Sequence, residues 1–154
     1  MSDVVRPLRA DEYEAFLERA LVEYAADMVR AGVEPAVARA KSERDHATLL
    51  SDGVDTPGHS LYAIVDGGER VGYLWLAERD AELGRSLFVY AIRVDEPYRR
   101  RGLGRAAMVF AEEEARRRGF ARIGLNVFSG NDVARGLYAS LGYRETATYM
   151  EKAL

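Results

Sequence analysis

The hydrophobic period of the chain changes between its first third and the remainder. Over the first 50 residues apolar side chains recur every three or four positions, as on amphipathic helices. From Leu61 onward they alternate over short stretches that are separated by turn residues, as in strands. Further helical stretches then follow between strands. The change of period therefore indicates a domain in which helices and strands are interleaved.

Ten elements are predicted from these patterns. The helices run from Asp11 to Gly32, from Pro35 to about Leu50 with Val37, Ala40 and Ala47 as its apolar positions, from Gly102 to Arg118, and from Asn131 to Gly142. The strands are Val4–Leu8, Leu61–Val65, Val71–Leu76, Ser86–Val94, Arg122–Val127 and Tyr143–Met150. Hairpins beside a strand–helix–strand unit imply a mixed sheet with helices on both of its faces.

Composition narrows the classes of protein that are compatible with this pattern. The 154 residues predict one domain, 1–154, and contain no cysteine, which excludes disulfides, thiol catalysis and cysteine-ligated zinc. His46 and His59 are isolated in the sequence, so no metal site is predicted. A net charge of −3 argues against a nucleic-acid partner. No apolar run approaches the ~18 residues of a membrane span, and the first residues lack a signal peptide, so a cytoplasmic protein is expected.

The most informative segment follows the predicted strand that ends at Val94. Pro97 interrupts that strand, and Gly102 and Gly104 then open a helix among four arginines at positions 99, 100, 101 and 105. Glycine lets the backbone approach a ligand, and the N–H groups of a first helical turn point at an anion. Arginines nearby add charge-assisted hydrogen bonds. These features predict a cradle for a pyrophosphate.

Three kinds of cradle can be distinguished by their spacing. A P-loop requires a lysine after its second glycine, and none is present. A dinucleotide fingerprint is present as Gly102-x-Gly104-x-x-Ala107, but seven residues separate it from Val94, and the next predicted strand carries Asn126 where an acid is needed. The third pattern, Arg/Gln-x-x-Gly-x-Gly/Ala, is satisfied by residues 99–104.

That third pattern resembles the GNAT superfamily of acyl-CoA-dependent N-acetyltransferases. A second signature of the family is matched downstream, where Asn131 and Tyr138 lie seven residues apart on one predicted helix and Leu-Gly-Tyr143 follows. The resemblance covers about residues 61–150. It implies an α+β (mixed α/β) fold, with a central mixed sheet of six to seven strands that is splayed in the middle and about four helices on its two faces.

The resemblance also implies roles for individual residues. Acetyl-CoA would be the co-substrate, with no metal. Tyr138 would be the general acid that protonates the departing thiolate, which suits a phenol with a pKa of about 10. A backbone N–H near Ile92 would stabilise the oxyanion. The residues that would bind the cofactor are Ile92, Arg93, Val94, Arg99, Arg100, Arg101, Gly102, Leu103, Gly104, Arg105, Asn131 and Tyr138.

The base and the acceptor are less constrained by the sequence. Glu78, at the end of a predicted strand, is taken as the base acting through water, with Glu96 as an alternative, while Trp75, Tyr90 and Asn126 are expected at the acceptor. The expected acceptor is a primary amine, on a small molecule or on a protein or peptide, and the protein is expected to be a monomer or a homodimer. The alternatives are the same fold with a longer acyl donor, a non-catalytic acyl-CoA sensor, and a nucleotide-binding protein.

Overall fold

The structure is a computed structural model that describes residues 3–81 and 84–154. In these residues five strands form one sheet: β1 (Val5–Pro7), β2 (His59–Asp66), β3 (Glu69–Ala81), β4 (Gly84–Val94) and β5 (Ile123–Leu125). The four α-helices are α1 (Tyr13–Arg30), α2 (Pro35–Leu49), α3 (Leu103–Arg117) and α4 (Asp132–Ser140). Short 3₁₀ turns lie at Ala10–Glu12, Gly53–Asp55 and Glu96–Tyr98.

The strands follow one another in the sheet in chain order, from β1 to β5. The first four are antiparallel, and β5 pairs parallel to β4 after the crossover through α3. The predicted mixed sheet with four helices is therefore confirmed. The predicted number of six to seven strands is wrong, because the described residues form five.

The difference in strand number lies at the carboxyl end of the chain. Residues 143–150, predicted as the last strand, contain no strand, and all residues from Arg144 to Leu154 are exposed. Tyr149 and Met150 are each 86% exposed, so the apolar side chains of this segment do not pack against the rest of the protein. Alternation predicts a strand only where another strand is available to pair with it.

Two apolar clusters cover the two faces of the sheet. Leu74 and Leu76 of β3 pack with Met108 of α3 on one face. Tyr73 and Trp75, their neighbours in the strand, pack with Phe16 of α1 on the other face. This division follows from the two-residue period of a strand, which sends successive side chains to opposite faces. It places the aromatic residues of β3 on the α1 side.

The buried face of α2 differs from the one that the sequence predicts. Val37, Ala40 and Ala47 are exposed, whereas Ala38, Ser42 and His46 are buried at four-residue spacing. The Ser42 hydroxyl donates a hydrogen bond of 2.7 Å to the backbone carbonyl of Leu21 in α1. These polar side chains can face inward because α1 supplies a hydrogen-bond partner for Ser42. The pattern of apolar residues in α2 alone does not indicate this partner.

β4 and β5 diverge after three paired positions. Their pairing ends at Val89 and Leu125, while β4 continues to Val94. On its other side β4 stays paired with β3, but a β-bulge makes Tyr90 the extra residue opposite Trp75 and Leu76. A bulge bends its strand and disturbs the local ladder. β5 therefore does not pair with residues 90–94 of β4, and this stretch of β4 leaves the edge that faces away from β3 open.

Gly72 is required by the close approach of β3 to β4. A Cβ built at this position would lie 2.1 Å from the backbone oxygen of Arg93. We expect Gly72→Ala to lower the free energy of unfolding by about 1–3 kcal/mol, and the melting temperature by about 2–4 °C per kcal/mol. In the control Gly136→Ala, on α4, the new methyl group has no atom within 4 Å. The control should gain up to about 1 kcal/mol from helix propensity. Equal melting temperatures for Gly72→Ala and the wild type would contradict this account.

Candidate active site

A cavity of about 510 Å³ opens where β4 and β5 diverge. One side is formed by residues 90–93 of β4, and the other by residues 125–128, which continue from β5. Tyr24 of α1 and His46 of α2 close the face of the sheet opposite α3. The divergence of two parallel strands thus creates a space that both helices and strands line.

Aromatic rings form the floor of this cavity. Trp75 and Tyr90 stack with their centroids 4.8 Å apart and their planes at 24°, and Phe88 meets Tyr90 edge-on at 4.8 Å. The bulge at Tyr90 turns this side chain to the same face as Trp75, so neighbouring strands supply both rings. Trp75, Tyr90 and Asn126, the three residues predicted at the acceptor, all line the cavity.

Tyr138 reaches the same cavity from α4. Its ring meets Tyr143 edge-on at 5.9 Å, which fixes its orientation. Its hydroxyl makes no hydrogen bond to the described residues, and it is not sealed from solvent. Burial raises the pKa of the Tyr138 phenol above its usual value, and the Arg93 guanidinium opposes that shift. The phenol is therefore protonated at neutral pH and free to donate its proton.

The predicted cradle lies at the amino end of α3. Gly102 is the N-cap residue of that helix and has φ +78°, a left-handed conformation that glycine adopts without strain. Arg100 has φ 63° and is the one non-glycine residue with positive φ in the described chain. Backbone strain of this kind is typical of sites that hold a ligand. The loop thus brings successive backbone groups to the start of the helix.

Most arginine side chains of the cradle bond to the protein itself. Arg99 Nε donates to the Val94 carbonyl at 2.9 Å, and Arg105 donates to the Ser140 hydroxyl at 2.5 Å. Arg101 forms an ion pair of 3.3 Å with Asp66. These contacts hold the loop against β4, α4 and β2. The first-turn N–H groups of α3, including those of Leu103 and Gly104, have no partner within a helix.

Asn131 and Arg93 have structural contacts beside the cavity. Asn131 caps α4, since its Oδ1 accepts a hydrogen bond of 3.2 Å from the Ala134 N–H, and it also lines the cavity. The Arg93 side chain turns to α1, where it pairs with Asp27 and, at 3.2 Å, with Glu23. Ile92, Arg93 and Val94 thus present the backbone of the unpaired β4 edge, while the Arg93 side chain holds α1 in place.

Glu78, predicted as the base, lies outside the cavity. Its strand neighbour Arg79 lines the cavity, so the Glu78 side chain belongs to the opposite face of β3, where it pairs with Arg85 at 3.2 Å. The structure does not bring Glu78 together with Tyr138.

Four other polar residues that the sequence did not single out do line the cavity. They are Asp27, Asp45, His46 and Arg79. For His46 a signal was present: Ser42 and His46 stand four residues apart on a helix, so their side chains share one face.

The two histidines are both neutral but are held differently. Trp75 Nε1 donates to His59 Nδ1 at 2.9 Å, so the proton of the neutral His59 ring lies on Nε2. His46 Nδ1 lies 2.8 Å from the Ser42 carbonyl, which can only accept, so this nitrogen carries the proton. Burial lowers the pKa of both imidazoles. Of the two residues, His46 is the one that lines the cavity.

Sequence comparison identifies the family to which this geometry belongs. The sequence model of the Acetyltransferase (GNAT) family matches residues 27–143, about three quarters of the chain. The chain belongs to the GNAT acetyltransferase family. Its resemblance to acyltransferases is thereby confirmed at the level of the family. The matched range includes the cradle, Tyr138 and most of the residues that line the cavity.

Individual GNAT relatives agree over the whole chain. Two uncharacterized N-acetyltransferases of Bacillus subtilis, YycN and YdgE, are each 31% identical over 156 residues that cover all of this chain and 99–100% of theirs. The crystal structure of YycN superposes with a TM-score of 0.88 over 97% of both chains. A ribosomal protein bS18-alanine N-acetyltransferase of Escherichia coli is 42% identical over 57 residues, 37% of this chain and 38% of its own.

Two further observations concern the described part of this GNAT domain. None of its helices combines the length and the apolar composition needed to cross a membrane. Its His, Asp and Glu side chains form no cluster of three or more that could hold a metal ion.

Proposed function

We propose that this chain transfers an acetyl group from acetyl-CoA to a primary amine, by direct attack while both substrates are bound. One observation carries the proposal: the accessible, protonated hydroxyl of Tyr138 shares a cavity with the unpaired edge of β4. An acid at that position can meet the sulfur of a thioester that lies along the strand. The absence of cysteine excludes a cysteine-bound acyl intermediate, which supports direct attack.

The residues present fit acetyl-CoA as the donor. An extended pantetheine arm can pair with the backbone of Ile92 and Val94, because β5 leaves this edge of β4 free. Its pyrophosphate would meet the N–H groups at the start of α3, where Gly102 and Gly104 have no side chains to obstruct it. The positive end of the helix dipole favours the same anion. Acetyl-CoA supplies the activated acyl group.

The chain itself would supply a proton and an oxyanion site. Tyr138 donates its proton to the sulfur as negative charge develops there. The bulge at Tyr90 leaves backbone groups outside the regular ladder, next to the cavity, where an N–H can stabilise the carbonyl oxygen. Both groups are fixed before the substrate arrives, one by the packing of α4 and the other by the sheet.

The acceptor would enter on the aromatic side of the cavity. Trp75, Tyr90 and Tyr24 offer ring faces that can receive a cationic amine. The carboxylates of Asp27 and Asp45 lie beside them, paired with Arg93 and Lys41. The relative that acts on an alanine of a ribosomal protein makes a peptide amine one reasonable class. A panel of acceptors should therefore contain an alanyl peptide, spermidine, tyramine and kanamycin.

The proposed donor is tested by thermal denaturation. At about 100 times its dissociation constant, acetyl-CoA should stabilise the folded state by about 2.7 kcal/mol and raise the melting temperature by roughly 5–10 °C. NAD at the same concentration should not, since β5 is followed by Asn126 rather than by an acid for the ribose. A shift with NAD and none with acetyl-CoA would overturn the assignment of the donor.

Transfer is tested by the release of free thiol with the amine panel. Release that depends on both acetyl-CoA and an amine supports the enzyme. Tight binding of acetyl-CoA without release by any amine would favour the sensor instead. A parallel series with butyryl- and octanoyl-CoA identifies a longer acyl donor if either is used faster than acetyl-CoA.

A further inference from the structure

His46 occupies an unusual position for a buried histidine. It is 5% exposed, on the inward face of α2, yet it lines the cavity. Its Nδ1 is bonded to the Ser42 carbonyl, while Nε2 has no hydrogen-bond partner among the described residues. Buried side-chain nitrogen and oxygen atoms of those residues all have a hydrogen-bond partner, so an atom without a partner must be accessible to solvent. Nε2 is therefore accessible to solvent, and the imidazole to which it belongs lines the cavity.

The bond to Ser42 decides which nitrogen can act as a base. A carbonyl oxygen only accepts, so the proton of the neutral ring resides on Nδ1 and the lone pair lies on Nε2. The Ser42 position is itself fixed, because its hydroxyl bonds to the Leu21 carbonyl of α1. α2 thus holds the ring, and with it the accessible lone pair, in a fixed orientation on a residue that lines the same cavity as Tyr138.

The surroundings keep this lone pair available at neutral pH. The Tyr24 ring of α1 lies 5.9 Å from the imidazole, and the Trp75 ring of β3 lies 5.5 Å from it. Burial among them lowers the pKa of His46, while the Ser42 carbonyl and the Asp45 carboxylate oppose that shift. The other charged groups that line the cavity are Asp27, Arg79 and Arg93. The same two oxygen groups would stabilise the imidazolium when it forms.

We propose that Nε2 of His46 is the general base that accepts a proton from the acceptor nitrogen as this nitrogen bonds to the thioester carbon. This inference rests on the proposed function. The N–H bond of the attacking amine breaks, a proton joins Nε2, and the nitrogen lone pair forms the new N–C bond. Tyr138 supplies a proton to the departing sulfur. Water in the open cavity returns the proton from the imidazolium to the phenolate, so no net proton is consumed.

Two variants separate this role from packing. In His46→Asn the amide nitrogen can replace Nδ1 as donor to Ser42, but nothing replaces the Nε2 lone pair. In His46→Gln the longer side chain occupies more of the ring's space. With acetyl-CoA and the fastest amine of the panel, each should lose about 10²–10⁴-fold in kcat at pH 7. Acetyl-CoA affinity should change by less than about threefold, because the cradle is elsewhere.

The pH profile of kcat and the rescue of activity by imidazole test this role directly. Neither should depend on His46 if its side chain served only for packing. In the wild type, log kcat should fall at acid pH as Nε2 becomes protonated, and the midpoint should lie below the pKa of a free histidine because burial lowers the pKa of His46. This acid limb should be absent in His46→Asn, and added imidazole should restore part of its activity while leaving the wild type unchanged. His59→Gln is the matched control, since His59 does not line the cavity, and it should retain the limb.

A measurement on the wild type covers the case in which both variants fold poorly. Nitrogen-15 NMR should find the neutral His46 ring protonated on Nδ1, with a pKa below that of a free histidine. A proton on Nε2, or a His46→Asn enzyme with the wild-type rate and acid limb, would overturn the role of His46. If instead no amine releases thiol from acetyl-CoA with the wild type, the proposed function itself fails.

Discussion

Replacing Tyr138 with phenylalanine is expected to lower turnover by about 10²–10⁴-fold, the usual contribution of a positioned acid. The substitution removes one hydroxyl and almost no volume. Because that hydroxyl has no partner among the described residues, its loss leaves no buried group unsatisfied. The affinity for acetyl-CoA should change by less than about tenfold, since in the proposed complex the arm and the pyrophosphate would contact β4 and α3.

The measurement is kcat for thiol release, with the dissociation constant of acetyl-CoA obtained by titration calorimetry. The alkaline limb of the rate profile should also change, because an ionisable phenol has been removed. Tyr143→Phe is the matched control: this neighbouring tyrosine bonds to Glu112 at 3.2 Å and lies outside the cavity. A Tyr138→Phe enzyme at the wild-type rate, with chemistry shown to be rate-limiting, would make Tyr138 structural.

Placing a carboxylate in the cradle, by Gly104→Glu, is expected to weaken acetyl-CoA binding by at least about 100-fold, or ~2.7 kcal/mol. The new side chain would add bulk where the backbone is proposed to meet the pyrophosphate, and its charge would repel that anion. The fold should tolerate it, because a Cβ at Gly104 lies 3.7 Å from Leu137 Cδ2, an ordinary contact. A carboxylate in a first helical turn is even favourable for the helix dipole.

Loss of the acetyl-CoA-dependent rise in melting temperature is the readout for Gly104→Glu. Gly104→Gln, with the same size and no charge, separates steric obstruction from repulsion, and Gly104→Ala should bind nearly as well as the wild type. Wild-type affinity in a folded Gly104→Glu protein would show that the pyrophosphate does not lie at this helix.

Several features of the site were predictable because their signals are local. Gly102 ends a loop and caps α3 in a left-handed conformation, which glycine adopts at little cost. Asn131 caps α4 through its own side chain, and Tyr138 follows on the same helix, two turns away. Each of these depends on residues within a few positions, so the sequence alone indicates both the helix starts and the spacing between the candidate groups.

Other features depended on partners that are distant in the sequence. The inward face of α2 carries Ser42 and His46 because the Leu21 carbonyl of α1 accepts a hydrogen bond from the Ser42 hydroxyl. Glu78 falls on the wrong face of β3, which only the register of the sheet reveals. Residues 143–150 alternate like a strand but have no strand to pair with.

The sequence by itself determined the order of the four helices and the first five strands, the cradle motif and the spacing of Asn131 and Tyr138, because helix caps, glycine conformations and residue periods act over short distances. The tertiary structure alone decided where β4 and β5 diverge, which side chains line the resulting cavity, and that His46 rather than Glu78 faces it. These properties depend on strand register and on the packing of one element against another, which no local pattern encodes.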